Sequence, residues 1–386
     1  MATKKGVWNL QQVRDKQLQS LWSYQEPATL WSWGTNNYGQ VGVNTNDEIS
    51  SPTQIGSLTT WMYASGATGG GGGNYAINDS NELFAWGNNP SGQLGQNNTT
   101  RYSSPVQIPG TTWKYISNSY GECTAATKTD GTLWSWGQNP NGVLGLNHTA
   151  SRSSPIQVGS DTTWNSIKGS VGNYYCFSAV KTDGTLWMWG GNDNGELGMN
   201  NTTKYSSPVQ VGSSTDWDSG QDKLAEGHQS SFAIKTDGTL WSWGTNNRGE
   251  LGTNNRTERS SPAQIPGTTW SSISALKYSV LARKTDGTIW SWGYNGNGEL
   301  GVNDRSNRSS PVQVPGTWNN IQMQGGWAAG MYAIKSDKTL WSWGYNAQGG
   351  LGQNNATQEL SSPTQIPGTW TKVSGKVYGA IAFKQA

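Results

Sequence analysis

Few side chains in this 386-residue chain are of types that do chemistry, and their spacing argues against a shared site. A metal centre needs convergent His, Cys or carboxylate ligands. The two histidines, His148 and His228, stand at unrelated positions, and each reads as a solvent-exposed loop residue. Asp130, Asp183, Asp237, Asp286 and Asp337 each follow Lys-Thr or Lys-Ser and precede Gly or Lys. That context marks hairpin turns rather than acid–base pairs. Glu196, Glu250 and Glu299 sit in repeated Gly-Glu-Leu-Gly turns. The run of glycines at 69–73 lacks the Lys-Ser/Thr and the helix of a phosphate loop. Asn-x-Thr sequons such as those at Asn97 and Asn200 carry no weight without secretion. The expectation is a protein that is not an enzyme, with no catalytic residues, no cofactor and no metal.

Composition narrows the class further. The formal charge is +2 and the basic residues are scattered, so no nucleic-acid-binding face is expected. No apolar run reaches the length of a membrane span. The start, MATKKGVWNLQQ, is basic without an apolar stretch after it, which does not read as a secretory signal. Two cysteines, Cys123 and Cys176, do not make a disulfide framework, and free thiols are expected.

The scarce chemistry is set in a dense repeat. An LWSWG-like pentapeptide starts at Leu30, Leu83, Leu133, Leu186, Leu240, Ile289 and Leu340, at intervals of 53, 50, 53, 54, 49 and 51 residues. Each opens a G-x-N-x-x-G-x-[LV]-G stretch, then SSP-x-Q, then a later Trp: Trp61, Trp113, Trp164, Trp217, Trp270, Trp318 or Trp370. Asp-Gly between AIK-like and LWSW segments signals a hairpin of type I′. The Pro of SSP suits the start of a short third strand. A Pro-Gly or Gly-Ser turn then leads to a fourth strand carrying the late Trp. Four short antiparallel strands in a unit of this length predict a propeller blade.

The fold expected is all-β: a seven-bladed β-propeller of four-stranded antiparallel blades over residues 28–386. The terminal KVYGAIAFKQA supplies the first strand of a unit, and ATLWSWG at 28–34 supplies the strand that should follow. Their pairing is expected to close the ring, with residues 376–384 beside 29–34. Of the 23 tryptophans, 20 occupy repeat positions, which predicts rings wedged between blades rather than a ligand platform. The exceptions are Trp8, Trp22 and Trp327.

These units resemble the RCC1-type repeat, named after the regulator of chromosome condensation. The shared residues are G-x-N-x-x-G-x-L-G, SSP-x-Q and A-[IVF]-K-[TS]-D-G. The resemblance implies a seven-bladed propeller and covers several non-equivalent functions: nucleotide exchange, parts of ubiquitin ligases, and inhibition of bacterial enzymes. The family often places His seven residues before the turn Asp. Here that position holds Gly73, Cys123, Cys176, Ser230, Ser279, Gly330 and Gly379, all small. No unit carries an insertion long enough to serve as an exchange-factor wedge.

Residues 1–27 fall outside the repeats and read as a short helical arm for docking or capping, with apolar Trp8, Leu10, Val13, Leu21 and Trp22. The opening GVWNLQQV resembles the N-termini of bacteriophage structural proteins. The leading expectation is therefore a phage virion component, such as a tail-fibre, spike or decoration protein, assembled in the host cytoplasm. Its partners would be other virion proteins through the arm, and a host-surface glycan or protein through the propeller. The alternative is a free protein-binding propeller that inhibits or recruits a bacterial enzyme. Alternation of a meander puts the Asp-Gly and Pro-Gly turns at one end and the long loops at the other. The long-loop end is the expected contact face, through Arg101, Tyr102, Tyr120, Tyr174, Tyr175, Lys204, Tyr205, Arg256 and Trp327.

Overall fold

The computed structural model describes residues 28–66, 72–120, 122–171, 175–322, 330–356, 358–376 and 378–385. The arm, Tyr174 and Trp327 lie outside the described residues. Among the described residues, strands make up the regular structure, with two short 3-10 turns, Pro140–Gly142 and Ala347–Gly349.

One blade shows the plan. Trp113–Ser119, Cys123–Lys128, Leu133–Gly137 and Arg152–Gln157 pair antiparallel in chain order. Five further sets open at Trp61, Trp164, Leu224, Trp270 and Trp318. A composite set joins Lys372–Lys376 and Gly379–Gln385 to Ala28–Gly34 and Ile49–Gln54. In it the two ends of the chain pair from Ala28↔Gln385 to Gly34↔Gly379. The first strands of the sets touch one another in cyclic order, the last (Lys372–Lys376) meeting Trp61–Ser65.

Three local expectations need correction. The late Trp does not end a blade; its strand opens the next one, as Trp113 pairs with Lys128 across a hairpin. The Pro-Gly segment is therefore the link between blades. The Asp-Gly hairpins are not type I′ either. Only the glycine enters the left-handed region (Gly131, φ 80°), and Gly131 N donates to Lys128 O. This is a three-residue loop with a bulged glycine, so Thr and Asp keep ordinary backbone angles. Finally, the SSP strand starts before its proline: Pro105 lies inside Tyr102–Ile108, where the register slips between Ala85 and Gly87. A bulge on the outermost strand tolerates the missing N–H.

The wedge between blades is aromatic. The second Trp of each pentapeptide is fully buried, from Trp33 to Trp343. Trp136 packs with Tyr75, Leu83 and Ile108 of the preceding blade. Each of these seven indoles donates Nε1–H to a carbonyl of the adjacent blade at 2.7–3.1 Å, among them Trp136 to Gln93 and Trp33 to Gly350. The alanines Ala76, Ala126, Ala179, Ala233, Ala282, Ala333 and Ala382 are fully buried beside them.

Candidate functional site

The long-loop end is built on a small set of local rules. Asn139, in the G-x-N position, is buried and holds its loop from inside: Nδ2 donates to His148 O at 2.8 Å, and Oδ1 accepts Leu144 N at 2.9 Å. Further out, asparagines in the left-handed region reach the neighbouring blade, as Asn97 N donates to Ser153 O and Asn354 N to Ser50 O. Glu196, Glu250 and Glu299 turn inward, each accepting a backbone N–H two residues earlier. Burial raises all three carboxyls above the usual range. Much of what varies between the loops is thus laid over a common frame.

On that frame sits a collar of phenols. Tyr120 and Tyr175 meet edge to face at 5.6 Å. Tyr278 meets His228 at 5.3 Å, and the Arg248 guanidinium lies 4.7 Å from both the Tyr278 and Tyr294 rings. Lys277 lies over Tyr278 as well. Tyr345 and Tyr378, on adjoining loops, are half-buried like the others. Tyr120, Tyr175 and Tyr378 have φ of 51°, 46° and 50°. Left-handed backbone is costly for a bulky residue, and three cases at one end of the molecule indicate a place where the chain is held against its preference.

The expected site residues therefore divide. Tyr120 and Tyr175 come together; the others do not join them. Arg101 is exposed and lies over Tyr38 of the adjacent blade at 4.6 Å. Lys204 pairs with Asp193 at 3.0 Å. Tyr102 and Tyr205 are half-buried against the blade cores. Arg256 is exposed. His228 is not the exposed loop residue expected: it is 7% exposed, and burial pushes its imidazole down to about 4. His148 is half-buried, its ring between Ala150 N and the Arg152 guanidinium. Cys123 and Cys176 are free and buried, which pushes both thiols up. Tyr278, Tyr294, Tyr345, Tyr378 and Arg248 escaped the sequence reading. A signal existed: Tyr175, Tyr278 and Tyr378 each immediately precede the small residue of the second strand, and Tyr294 and Tyr345 replace Thr in G-T-N.

The model of the regulator of chromosome condensation (RCC1) repeat matches residues 28–72, 80–121, 130–179, 183–233, 237–275 and 286–328. The chain belongs to the RCC1 family. As an RCC1-like propeller it is 29% identical to the ultraviolet-B receptor UVR8 of Arabidopsis thaliana over 345 residues, 87% of this chain and 65% of the receptor. It is 35% identical over 97 residues to the human probable E3 ubiquitin-protein ligase HERC3, 25% of this chain and 9% of the ligase. The chain thus spans less than two thirds of the length of these relatives. Among solved structures, the RCC1-like propeller superposes on Prp20p of Saccharomyces cerevisiae with a TM-score of 0.77 at 17% identity, covering 93% of this chain and 91% of that one. Among the described residues, no helix is long and apolar enough to cross a membrane, and no three His, Cys, Asp or Glu residues are grouped to hold a metal ion.

Proposed function

We propose that this RCC1-like propeller is a non-enzymatic binding protein that presents its long-loop end to a protein partner. The phenol collar with Arg248 carries the reading: Tyr and Arg are the side chains that most often anchor interfaces, and here they are half-buried and pre-positioned. Protein binding is in keeping with the family, since Prp20p has been studied for binding to Gsp1p and histones. The scaffold we infer is a seven-bladed ring closed by the pairing of the chain ends, supported by the cyclic contact of first strands. The test is a pull-down with the purified chain as bait, followed by Tyr175→Ala, Tyr278→Ala and Arg248→Ala. Partner capture should fall for all three while Thr129→Ala at the opposite end has no effect. Equal loss at Thr129 would reject the face.

The finer reading, a virion component docked through residues 1–27, is supported by the apolar set Trp8, Leu10, Val13, Leu21 and Trp22 and by the opening GVWNLQQV. Removing residues 1–25 should leave a folded propeller that no longer enters particles. Normal incorporation of the truncated chain would end that reading.

A further inference from the structure

Cations lie over aromatic rings at both ends of the propeller, under different rules. At the short-turn end, six blades repeat one clamp. The lysine closing the second strand lies over two indoles, as Lys128 does over Trp113 at 4.6 Å and Trp134 at 4.2 Å. Lys181, Lys235, Lys284, Lys335 and Lys384 do the same. At the long-loop end, Arg248 lies over Tyr278 and Tyr294. The position of Arg248 in the G-x-N loop holds Tyr38, Ser91, Asn141, Asn194, Asn297 and Gln348 in the other blades, none of them charged. A cation present in nearly every blade serves the scaffold; one present in a single blade needs another reason.

Arg248 and its rings are held from below. Asn246, buried inside the loop, accepts Leu251 N at 3.0 Å and donates to Thr257 O at 3.0 Å. Arg248 N donates to Glu250 Oε2, which fixes the backbone from which the side chain springs. In the next blade Tyr294 N donates to Tyr278 O at 2.8 Å, so the two phenols start from one tied point. The blades are joined there as well, since His228 N donates to Lys277 O at 3.2 Å.

The guanidinium itself is left open. Among the described residues it makes no hydrogen bond and no ion pair, although Arg248 is half-buried. The rings engage its charge and leave its five N–H donors for an acceptor. Glu250 does not neutralise it: that carboxyl is turned inward, and burial raises it above the usual range. Lys277, over Tyr278 at 4.9 Å, adds a second cation beside the first. Burial lowers the Lys277 ammonium, and Arg248 lowers it further, as like charges in proximity do. A half-buried, pre-positioned cation without an anion is the complement of an anion brought by something else.

We propose that Arg248 receives an aspartate or glutamate side chain of the protein partner, so that the segment docking on this end is acidic. The inference rests on the reading of the long-loop end as the partner face. One planar fork flanked by phenols suits one carboxylate, with its methylene stem against the rings. A phosphate is matched by a cluster of arginines, and Arg248 is alone in this loop.

The test selects random linear peptides, displayed as a library, on the immobilised full chain at low salt. Labelled synthetic copies are then titrated by fluorescence anisotropy. The selected peptides should share an acidic residue, and replacing it by the matching amide should weaken binding about tenfold or more. Arg248→Gln should cause the same loss, and against that variant the acidic and amide peptides should bind alike. Arg248→Lys, which keeps the charge without the fork, should recover only part of the affinity. Arg305→Gln, an equal change of charge at an exposed arginine paired with Glu359, should have no effect. Melting curves show whether each variant is folded, and if Arg248→Gln is not, the amide peptides and Arg248→Lys decide. Peptides that bind equally well as amides overturn the inference; if Tyr175→Ala still weakens them, the face itself stands. About tenfold tighter binding with phosphoserine at the acidic position reassigns the anion to a phosphate and also overturns it. Peptides insensitive to Tyr175→Ala and Tyr278→Ala, or no selected peptide at all, reject the face and this inference with it.

Discussion

Trp134 and Trp136 are two residues apart on one strand and serve opposite ends of the propeller. Trp134, towards the short-turn end, is half-buried and satisfied by its own hairpin. Its Nε1 donates to Thr132 Oγ1 at 2.8 Å, that hydroxyl donates to Asp130 Oδ1 at 2.7 Å, and Lys128 covers its ring. Trp136, towards the long-loop end, is fully buried and satisfied only by the neighbouring blade, through Gln93 O. The short-turn end is thus stabilised by local contacts written into one stretch of sequence. The long-loop end depends on contacts between blades, and it is there that the chain tolerates left-handed tyrosines. A repeat can keep one end uniform and vary the other because the two ends draw on different bonds.

The seam between the chain ends strains both kinds of contact at once. Deleting residues 376–386 removes the strand between Lys372–Lys376 and Ala28–Gly34. The largest fall in melting temperature is expected here, and an unchanged curve would show that the ring does not need the seam.

The two tryptophans give the sharpest contrast. Trp136→Ala should cost about 3–5 kcal/mol, by cavity formation and a lost tie between blades. Trp134→Ala should cost about 1–2 kcal/mol, the clamp and one hydrogen bond. Denaturant unfolding of the two variants measures the difference, and equal costs would erase the distinction between ends.

A pH effect belongs to the buried side. Glu226 is buried, and desolvation raises its carboxyl to about 8. The Ser231 hydroxyl touches both Glu226 Oε2 at 2.5 Å and Glu196 O at 2.8 Å. With one proton the hydroxyl can donate to only one of them, and a protonated Glu226 supplies the other bond. A raised carboxyl favours the folded state below the unfolded value near 4.5, and that contribution is lost as pH climbs to about 8. Lys168, lowered to about 8 beside it, has the opposite slope above that pH. Glu226→Gln should therefore melt higher than the parent at pH 7–8 and like it at pH 4. A constant difference across that range would rule out titration of Glu226 as the cause.

The smallest effect is at a turn. Lys338 occupies the glycine position of its hairpin at φ 66°, where four other blades have Gly131, Gly184, Gly238 and Gly287 and the Trp61 blade has Asn81 at φ 58°. Lys338→Gly should stabilise by about 1 kcal/mol, because left-handed backbone is free of strain only for glycine. The loss of the Lys338 Nζ bond to Gln385 at the surface offsets little of this. A lower melting temperature would place the lysine side chain, not its backbone, in control of the turn.

The sequence alone determined the repeat, its antiparallel strands, the turn role of the aspartates and the wedge role of the tryptophans. Those features rest on bonds within one stretch, or on a pattern that recurs in every blade, so each copy corroborates the rest. Which strand pairs with which was less legible. The SSP strand and the late-Trp strand flank a Pro-Gly that reads as a hairpin, yet the hydrogen bonds of Trp113 run forward to Lys128. Nothing in the residues themselves chooses between pairing backward and pairing forward; the packing of whole blades does. Tertiary structure alone also buried His228, brought Arg248 of one blade onto Tyr278 and Tyr294 of the next, and set Lys114 and Lys372 around one cavity. Residues of different blades meet only when the packed blades bring their loops and inner strands together, and one-dimensional spacing carries no record of that meeting.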